Sequence, residues 1–390
     1  EERALDFTLY SQSIIRHGSW AESSHTGTRV PSSCRLVRHL RSNPRGAASR
    51  LGSCFARFLE QEMNPSLTRL LESRMPRDQA NAHLDPGLVT RVGIPHRSGK
   101  LVFHAFNEGY PVMVSANTFW DPNSRQFAFP SATDLSELDY ALDSAGFTAM
   151  SLWKKKGVQP GIAGVYPWSL EAYLSFAMST RASWYAQPDM CCEPEICSND
   201  AEIDYRIDAT ATLLEGCLRI VYEYQNQLVR QGWSESAVRN EVRLPVPVLQ
   251  GWRVDQYARS LDLMRAVWER WQPWAAPPAL IGLGSVCRRS LGHPEHGLFA
   301  ILASLEGNLP DGSRLHMFGV KGAAIEQLKM YDWIASTDSM SFDLGARRKA
   351  FEAGISNTID HRKREMSKWM EAAKRRAMPA AGDQFRLKLH

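Results

Sequence analysis

Leu142-Asp143-Ser144-Ala145-Gly146-Phe147 carries the pattern that decides the fold: an apolar run ending on a carboxylate, then small residues, then a helix-like segment. Five more such tips follow in order: Gln187-Pro188-Asp189-Met190-Cys191, Val248-Leu249-Gln250-Gly251, Ile281-Gly282-Leu283-Gly284-Ser285, Phe318-Gly319-Val320-Lys321 and Thr337-Asp338-Ser339. Each closes a β-like run on a polar group, and most lead into a helical pattern. A repeated strand, polar tip and helix is how a (β/α) barrel collects reactive groups at the C-terminal mouth of its strands. The expectation is therefore an α/β chain built on a (β/α)8 TIM-type barrel. Three tips, Asp143, Asp189 and Asp338, are carboxylates, which limits the chemistry to acid/base work, nucleophilic attack or cation binding. The pattern is that of an enzyme.

Outward from these tips, Tyr110-Pro111-Val112-Met113-Val114-Ser115-Ala116-Asn117 reads as the first buried strand. Further buried-strand patterns lie near residues 139–143, 184–190, 245–250, 279–284, 315–320 and 334–340. An eighth strand is expected within 101–106 or 125–129. Amphipathic helices are expected over 170–181, 201–231, 254–271, 296–304 and 323–333, and one last helix over 344–376. Residues 1–105 read as a basic, mainly helical N-terminal extension, whose clearest helical pattern runs from Leu51 to Leu71 with Pro65 interrupting it. Residues 106–345 are then the catalytic barrel, and 346–390 a basic C-terminal helix and tail.

At 390 residues and 44% hydrophobic, the chain can hold one large barrel plus additions. No apolar run approaches the roughly 18 residues of a membrane span. The opening Glu1-Glu2-Arg3-Ala4-Leu5-Asp6 has no apolar h-region, so neither a membrane partner nor a signal peptide is expected. The 7 cysteines are scattered, which fits a reducing cytoplasm better than a disulfide-built secreted domain. The net charge of +4 conceals a segregation: residues 1–100 carry 15 Lys/Arg against 9 Asp/Glu, residues 346–390 carry 12 against 5, and the middle is acidic. Such flanks suit a polyanion, most simply a nucleic-acid backbone, though a solvated basic surface reads the same way. Arg288, Arg289, Lys321, Arg347, Arg348 and Lys349 are the candidates for phosphate contact.

A lone carboxylate in an apolar strand costs several kcal/mol unless it is paired or used. A strand-end Asp can also simply cap the next helix, but Asp143, Asp189 and Asp338 around one mouth favour function. Gln250 presents both a donor and an acceptor, and the backbone around Gly251, Gly282 and Gly284 can approach a ligand closely. Phe147 and Phe318 can sandwich a flat heterocycle or serve as core. Cys191, Cys192 and Cys197 form C-C-x4-C, which is not a zinc spacing, so no metal site is assigned.

The stretch Ala141-Leu142-Asp143-Ser144-Ala145-Gly146-Phe147 resembles the "TDSGGF" of the tRNA-guanine transglycosylases, and the other tips fall in the order of that superfamily. Gln187-Pro188-Asp189-Met190-Cys191 is similar to its base-recognition Asp and nearby Cys. Val248-Leu249-Gln250-Gly251 resembles "IIQGG", Ile281-Gly282-Leu283-Gly284 "IGGL", Met317-Phe318-Gly319-Val320 "LMGVG", and Thr337-Asp338-Ser339 the place of the nucleophilic Asp. The fuller wording, Pro247 to Trp252 with Gly282 to Arg289, is closer still to the deazapurine DNA modification (DpdA-like) branch. Two departures stand out. Residues 340–390 contain no cysteine, so the structural zinc site of the tRNA enzymes is expected to be absent, and the "GG" pairs appear as Ala145-Gly146 and Gly282-Leu283.

The resemblance implies exchange of guanine in DNA for a 7-deazaguanine, such as 7-cyano-7-deazaguanine. Asp338 is then the nucleophile and Asp143 the general base. Asp189, Cys191, Gln250, Gly251, Gly282 and Gly284 contact the base, and Phe147 and Phe318 stack on it. No organic cofactor is required. The same exchange on tRNA, or a non-catalytic nucleic-acid-binding subunit, are the alternatives. A partner ATPase, as in related DNA modification systems, is implied by the resemblance alone.

Overall fold

Short apolar runs form one parallel sheet of eight strands: β1 (Val89–Ile94), β2 (Val112–Ser115), β3 (Tyr140–Asp143), β4 (Trp184–Tyr185), β5 (Val248–Leu249), β6 (Leu280–Leu283), β7 (Arg314–Met317) and β8 (Ile334–Ser339). They belong to a computed structural model that describes residues 87–380 except His96, Ser98, Ala132 and Arg181, all within the unit that begins at Gln79. The helical pattern from Leu51 to Leu71 and its basic surroundings lie outside the described residues. Spatial order is β4-β3-β2-β1-β8-β7-β6-β5, with every pairing parallel. Chain neighbours are thus sheet neighbours, as repeated βα crossovers require. The two edge strands also meet: Ala186 and Val246 form a parallel bridge, with Val246 N–H donating to Tyr185 O (2.8 Å) and Gln187 N–H to Val246 O (3.0 Å). The sheet is curled and barrel-like.

Strand side chains alternate between two faces, and here the alternation separates two cores. Met113, Ala141, Trp184, Val248, Leu280 and Ala335 point inward and form one cluster. On the opposite phase of the strands, Leu249, Ile281, Leu283, Leu315, Met317 and Ile334 point outward into a larger cluster. That outer cluster is completed by the helices α4 (Asp200–Arg230), α6 (Val254–Arg270) and α7 (Leu298–Leu305). Two of the crossover helices start at side-chain caps: Ser169 Oγ accepts from Ala172 N–H (3.1 Å) before α3 (Leu170–Ser179), and Asn199 Oδ1 from Glu202 N–H (2.9 Å) before α4.

The eighth strand is β1, inside the span assigned from sequence to the N-terminal extension, so the sheet begins at Val89 and not after residue 105. Residues 101–106 instead belong to helix α1 (Lys100–Asn107), and 125–129 contribute to a small antiparallel hairpin, Trp120–Asp121 with Gln126–Phe127. What hid β1 is Arg91, a charge in mid-strand. It is 1% exposed, points into the sheet, pairs with Asp139 through both terminal nitrogens (3.0 Å each) and lies 5.8 Å from the Trp184 ring.

The last helix is also two. After α2 (Gly146–Lys156) and α5 (Glu235–Glu241), the chain has only a short helix, α8 (Ile325–Leu328), in the 323–333 span. It then forms α9 (Ser341–Glu352) and α10 (Ile359–Ala377). Gly354, at φ +63, closes α9 in the left-handed region, and Thr358 restarts the chain by accepting from His361 N–H (3.2 Å).

Trp184 stands at the centre of the inner cluster, 5% exposed and edge-on to His316 at 4.7 Å. Trp184→Ala should therefore lower the unfolding free energy by about 3–5 kcal/mol, with Trp184→Phe costing well under half of that. Denaturant melts check this, and a loss below about 1 kcal/mol for the alanine variant would show that this interior is not tightly packed.

Candidate active site

The inward face that carries apolar residues low in the sheet turns polar at the C-terminal ends of its strands. Ser115 ends β2 and Asp143 ends β3 in register with it. The Ser115 hydroxyl donates to Asp143 Oδ2 (2.8 Å), which also accepts from Ala145 N–H (3.2 Å). That second contact is set by a tight turn in which Ala145 takes φ +71, a strained conformation for a residue with a Cβ. Burial pushes the Asp143 carboxyl up to about 7, reinforced by Asp189 and then, after the opposing Ser115 bond, by Asp338. Asp143 thus feels both other carboxylates although its neighbours in the fold are only β2 and β4.

Asp189 is 7% exposed. Its Oδ1 accepts from Ser144 Oγ (2.8 Å), and its Oδ2 from the Gln250 Nε2 amide and from the Cys191 thiol (3.8 Å). Burial raises its carboxyl above the usual range against the pull of these donors. Its backbone is pinned by Tyr166, whose hydroxyl donates to Asp189 O (2.6 Å) and accepts from Asp189 N–H (3.0 Å). Two glycines make the approach possible. A Cβ on Gly146 would stand 2.5 Å from Asp189 Oδ1, and one on Gly284 2.2 Å from Gln250 Nε2.

Asp338, 9% exposed, accepts from Gly319 N–H (2.8 Å) in the loop after β7. His316 lies beneath it, fully buried, with Nε2 3.5 Å from Asp338 Oδ1 and Nδ1 2.8 Å from Ser336 Oγ. Burial lowers the imidazole below its usual range, so at neutral pH it stands as an uncharged spacer under the carboxylate. Phe318 packs edge-on to His316 (4.6 Å) and lies over Gly282, where a Cβ would come within 2.6 Å of the ring. A cleft lined by Pro95, Arg97, Asn117, Thr118 and Trp120 lies among the segments that follow β1 and β2, and Asp143, Asp189 and Asp338 are not part of its lining. Three carboxyl groups in different surroundings, a stacking ring and an oriented amide can bind a flat polar heterocycle and move protons to or from it.

The profile of the family DeoxyPurine in DNA protein A (DpdA) matches residues 109–386, well over half of the chain. The chain belongs to the DpdA family. Among curated proteins none matches it. Membership carries DNA-modifying guanine transglycosylase as the general class, with DNA as the substrate.

Of the DpdA-like residues expected from sequence, Asp143, Asp189, Cys191, Gln250, Gly282, Gly284, Phe318 and Asp338 meet at this mouth. Phe147 sits in the first turn of α2, 42% exposed. The Gly251 carbonyl accepts from Arg289 Nη2 (3.3 Å). Arg289 itself is a correction. At 2% exposure its guanidinium also donates to Ser285 O (2.6 Å), His296 O (2.8 Å) and Tyr257 OH (3.1 Å), and it stacks on Trp252 at 3.9 Å. It clamps two loops and has no donor left for a phosphate. Arg347 pairs with Asp343 (2.6 Å), Arg348 with Glu352 (3.7 Å) and Lys349 with Glu365, all on the outer helices α9 and α10. Arg288 and Lys321 are exposed. Among the described residues no cluster of three His, Cys, Asp or Glu could hold a metal, and no helix is long and apolar enough to cross a membrane.

Sequence reasoning missed Ser115, Ser144, Glu193, Ser285 and His316. Ser115 and His316 had a signal, a polar residue on the inward phase of an apolar strand, while the others lie in loops where no periodicity applies.

Burial pushes folded Asp143 up to about 7, whereas the unfolded chain releases this proton at the ordinary aspartate value of 3.8. Its contribution to stability is therefore present in acid and is lost as pH rises through about 7. Asp143→Asn should leave the melting temperature nearly unchanged near pH 4 and raise it by about 2–6 °C near pH 8. Calorimetry across that window checks it, and equal shifts at both ends would show that the carboxyl is not held neutral.

Proposed function

We propose that this protein exchanges guanine in DNA for a 7-deazaguanine by two displacements at C1′, on a closed (β/α)8 barrel. The observation that carries this is the electrostatic meeting of Asp143, Asp189 and Asp338 at one polar mouth. A guanine inside a duplex is out of reach of such a mouth, so it must be flipped out, at a cost of a few kcal/mol. Phe318 offers one face for the flipped base, and Phe147, on the opposite strand end, the other. Asp189 accepts from the N1–H and 2-amino edge, while the second Gln250 Nε2 hydrogen reaches the 6-oxo group.

Asp338 attacks C1′, the C1′–N9 bond breaks with its electron pair on guanine, and a glycosyl-aspartate remains. Asp143, protonated up to about pH 7, supplies the proton that the leaving base needs. After guanine is replaced by the 7-deazaguanine, the Asp143 carboxylate takes the N9 proton and N9 displaces Asp338 from C1′. Two inversions restore the configuration, as in retaining glycosidases. The covering of Asp338 and Asp189 keeps water from the intermediate, whose hydrolysis would leave an abasic site. The scheme requires no organic cofactor, and a host-DNA substrate places the protein in the cytoplasm.

A positive rim supports a DNA backbone. Arg376 Nη1 donates to Gly322 O (3.3 Å) in the loop after β7, which brings Arg376 beside the Lys321 loop with the exposed Arg375 next to it in the chain, while Lys374 lies over the Tyr110 ring at 4.9 Å. The pair of Arg348 with Glu352 is solvent-exposed, worth little, and can be exchanged for a phosphate, whereas Arg347 is held on the buried Asp343.

Asp338→Asn should abolish both guanine exchange and covalent trapping on DNA, while Asp338→Ala still binds DNA. Exchange of labelled guanine by the Asn variant at near wild-type rate would remove Asp338 as nucleophile, and running duplex DNA, single-stranded DNA and tRNA side by side identifies the substrate. DNA affinity should also fall steeply with salt, and the combined Lys321→Ala, Arg375→Ala and Arg376→Ala variant should reduce the log–log slope by about 2–3. An unchanged slope would take this rim out of the interface.

A further inference from the structure

Ser285, at the tip of β6, is the meeting point of three polar groups. Its Oγ lies 2.7 Å from Cys192 N, 2.6 Å from Gln250 Oε1 and 3.0 Å from Glu193 Oε2. It is 4% exposed and held at φ +53, an uncommon conformation for serine, and Glu193 is 6% exposed. Counting hydrogens fixes the network. Gln250 Nε2 faces Asp189, an acceptor, so Gln250 Oε1 must accept, and only the Ser285 hydroxyl hydrogen can reach it. Cys192 N–H already donates to Ser285. The contact between Ser285 Oγ and Glu193 Oε2 then lacks a hydrogen unless Glu193 carries one.

The geometry points to Glu193 as a positioning residue: as a neutral acid it fixes, through Ser285, the orientation of the Gln250 amide that reads the base. This rests on the base-exchange reading above and names what sets its specificity. The surroundings agree with a held proton. Burial pushes the Glu193 carboxyl up to about 7, with Asp189 adding to the rise. Of the titratable groups around it, Asp189, Cys191, Cys197, Tyr257 and Cys287 are acids, and the cations are Arg289 and Arg206, whose guanidinium is taken up by the carbonyls of Cys191 and Ile196 in the same loop. The Arg289 guanidinium is turned to the carbonyls of Ser285, His296 and Gly251.

When Glu193 gives its proton to water, its carboxylate becomes the strongest acceptor beside Ser285 and draws the hydroxyl hydrogen away from Gln250 Oε1. The amide loses the donor that distinguished its two ends. Its hydrogen on Asp189 and its hydrogen for the base then no longer coexist in one fixed rotamer. The sign is opposite to that of Asp143: proton loss from Glu193 weakens base binding, whereas proton loss from Asp143 supplies the base.

The test measures binding of guanine, as the free base, to the full chain in an Asp143→Asn background, so that Asp143 does not titrate. Between about pH 6 and about pH 8 the dissociation constant should rise about tenfold, the worth of one lost neutral hydrogen bond. Adding Glu193→Gln, whose amide donates as the acid does, should keep binding tight and flat with pH. Adding Ser285→Ala should weaken it about tenfold at both values with the melting temperature checked alongside. A persistent pH-dependent loss in the Glu193→Gln protein, or full affinity in the Ser285→Ala protein, would overturn the assignment. Infrared difference spectra over the same window supply a readout without ligand: a protonated-carboxyl band lost at high pH and missing from the Glu193→Gln protein. Absence of that band refutes the neutral acid whether or not guanine binds. A band without any guanine binding would instead refute the base-exchange reading.

Discussion

The Asp189 carboxyl is the group around which the mouth is organised. It is taken out of water beside two other carboxyls, a loss that has to be offset by hydrogen bonds to it. Ser144, Gln250 and Cys191 provide them, each from a different loop or turn. That requirement reaches outward. The Ser144 turn places Ala145 in a strained conformation, Gly146 and Gly284 give up side chains so that Asp189 and Gln250 can come close, and Tyr166 grips both backbone groups of Asp189. Strain and missing side chains gathered at one end of a sheet, with ordinary packing at the other, is the distribution expected where stability has been given up for a site.

Strand β1 shows that topology matters as much as the site residues. The family match starts at residue 109, beyond this strand. Yet β1 is what joins β2 to β8 and so carries Asp338 round to face Asp143. Its register, Val92 against Ser339 and Ile94 against Val114, sets the height of both acids on the inner face. Arg91 explains how such a strand is stable. A buried guanidinium left unpaired would be strongly unfavourable, but here Asp139 takes both nitrogens at the foot of β3, and Ser183 in turn donates to Asp139. The strand cannot slip in register without breaking that pair.

The three acids, the Gln250 amide and the strand-to-helix order were legible because all obey one rule: a polar residue where an apolar strand stops. Charge was far less legible. Arg289 and Arg347 look alike in sequence, yet one is a buried clamp bonded to loop carbonyls and the other an exposed helix residue paired with Asp343. Only the packing of Trp252 and Tyr257 around the guanidinium separates them. Arg91 failed for the same reason, since a cation in a strand reads as surface until its partner 48 positions away is known. Glu193 was hidden differently: Cys191-Cys192-Glu193 invites a search for metal, and the thiols turn away from one another's targets, Cys191 to Asp189 and Cys192 to a backbone carbonyl.

Two buried acids poised near 7, Asp143 and Glu193, lie on either side of Asp189, and their demands oppose each other. In the base exchange proposed above, Asp143 has to lose its proton to accept one from an incoming base, whereas Glu193 has to keep its proton to hold the Gln250 amide. Proton transfer is most effective when the group's pKa lies near the working pH, so in that scheme the raised Asp143 carboxyl can serve as acid for departing guanine and as base for its replacement. Burial raises Glu193 as well, and Asp189 adds to the rise of both acids. On that reading base capture and proton transfer are coupled through Asp189, and their common optimum falls where each acid is about half ionised. A site with less burial would separate the two ionisations but would admit the water that the covalent intermediate cannot tolerate.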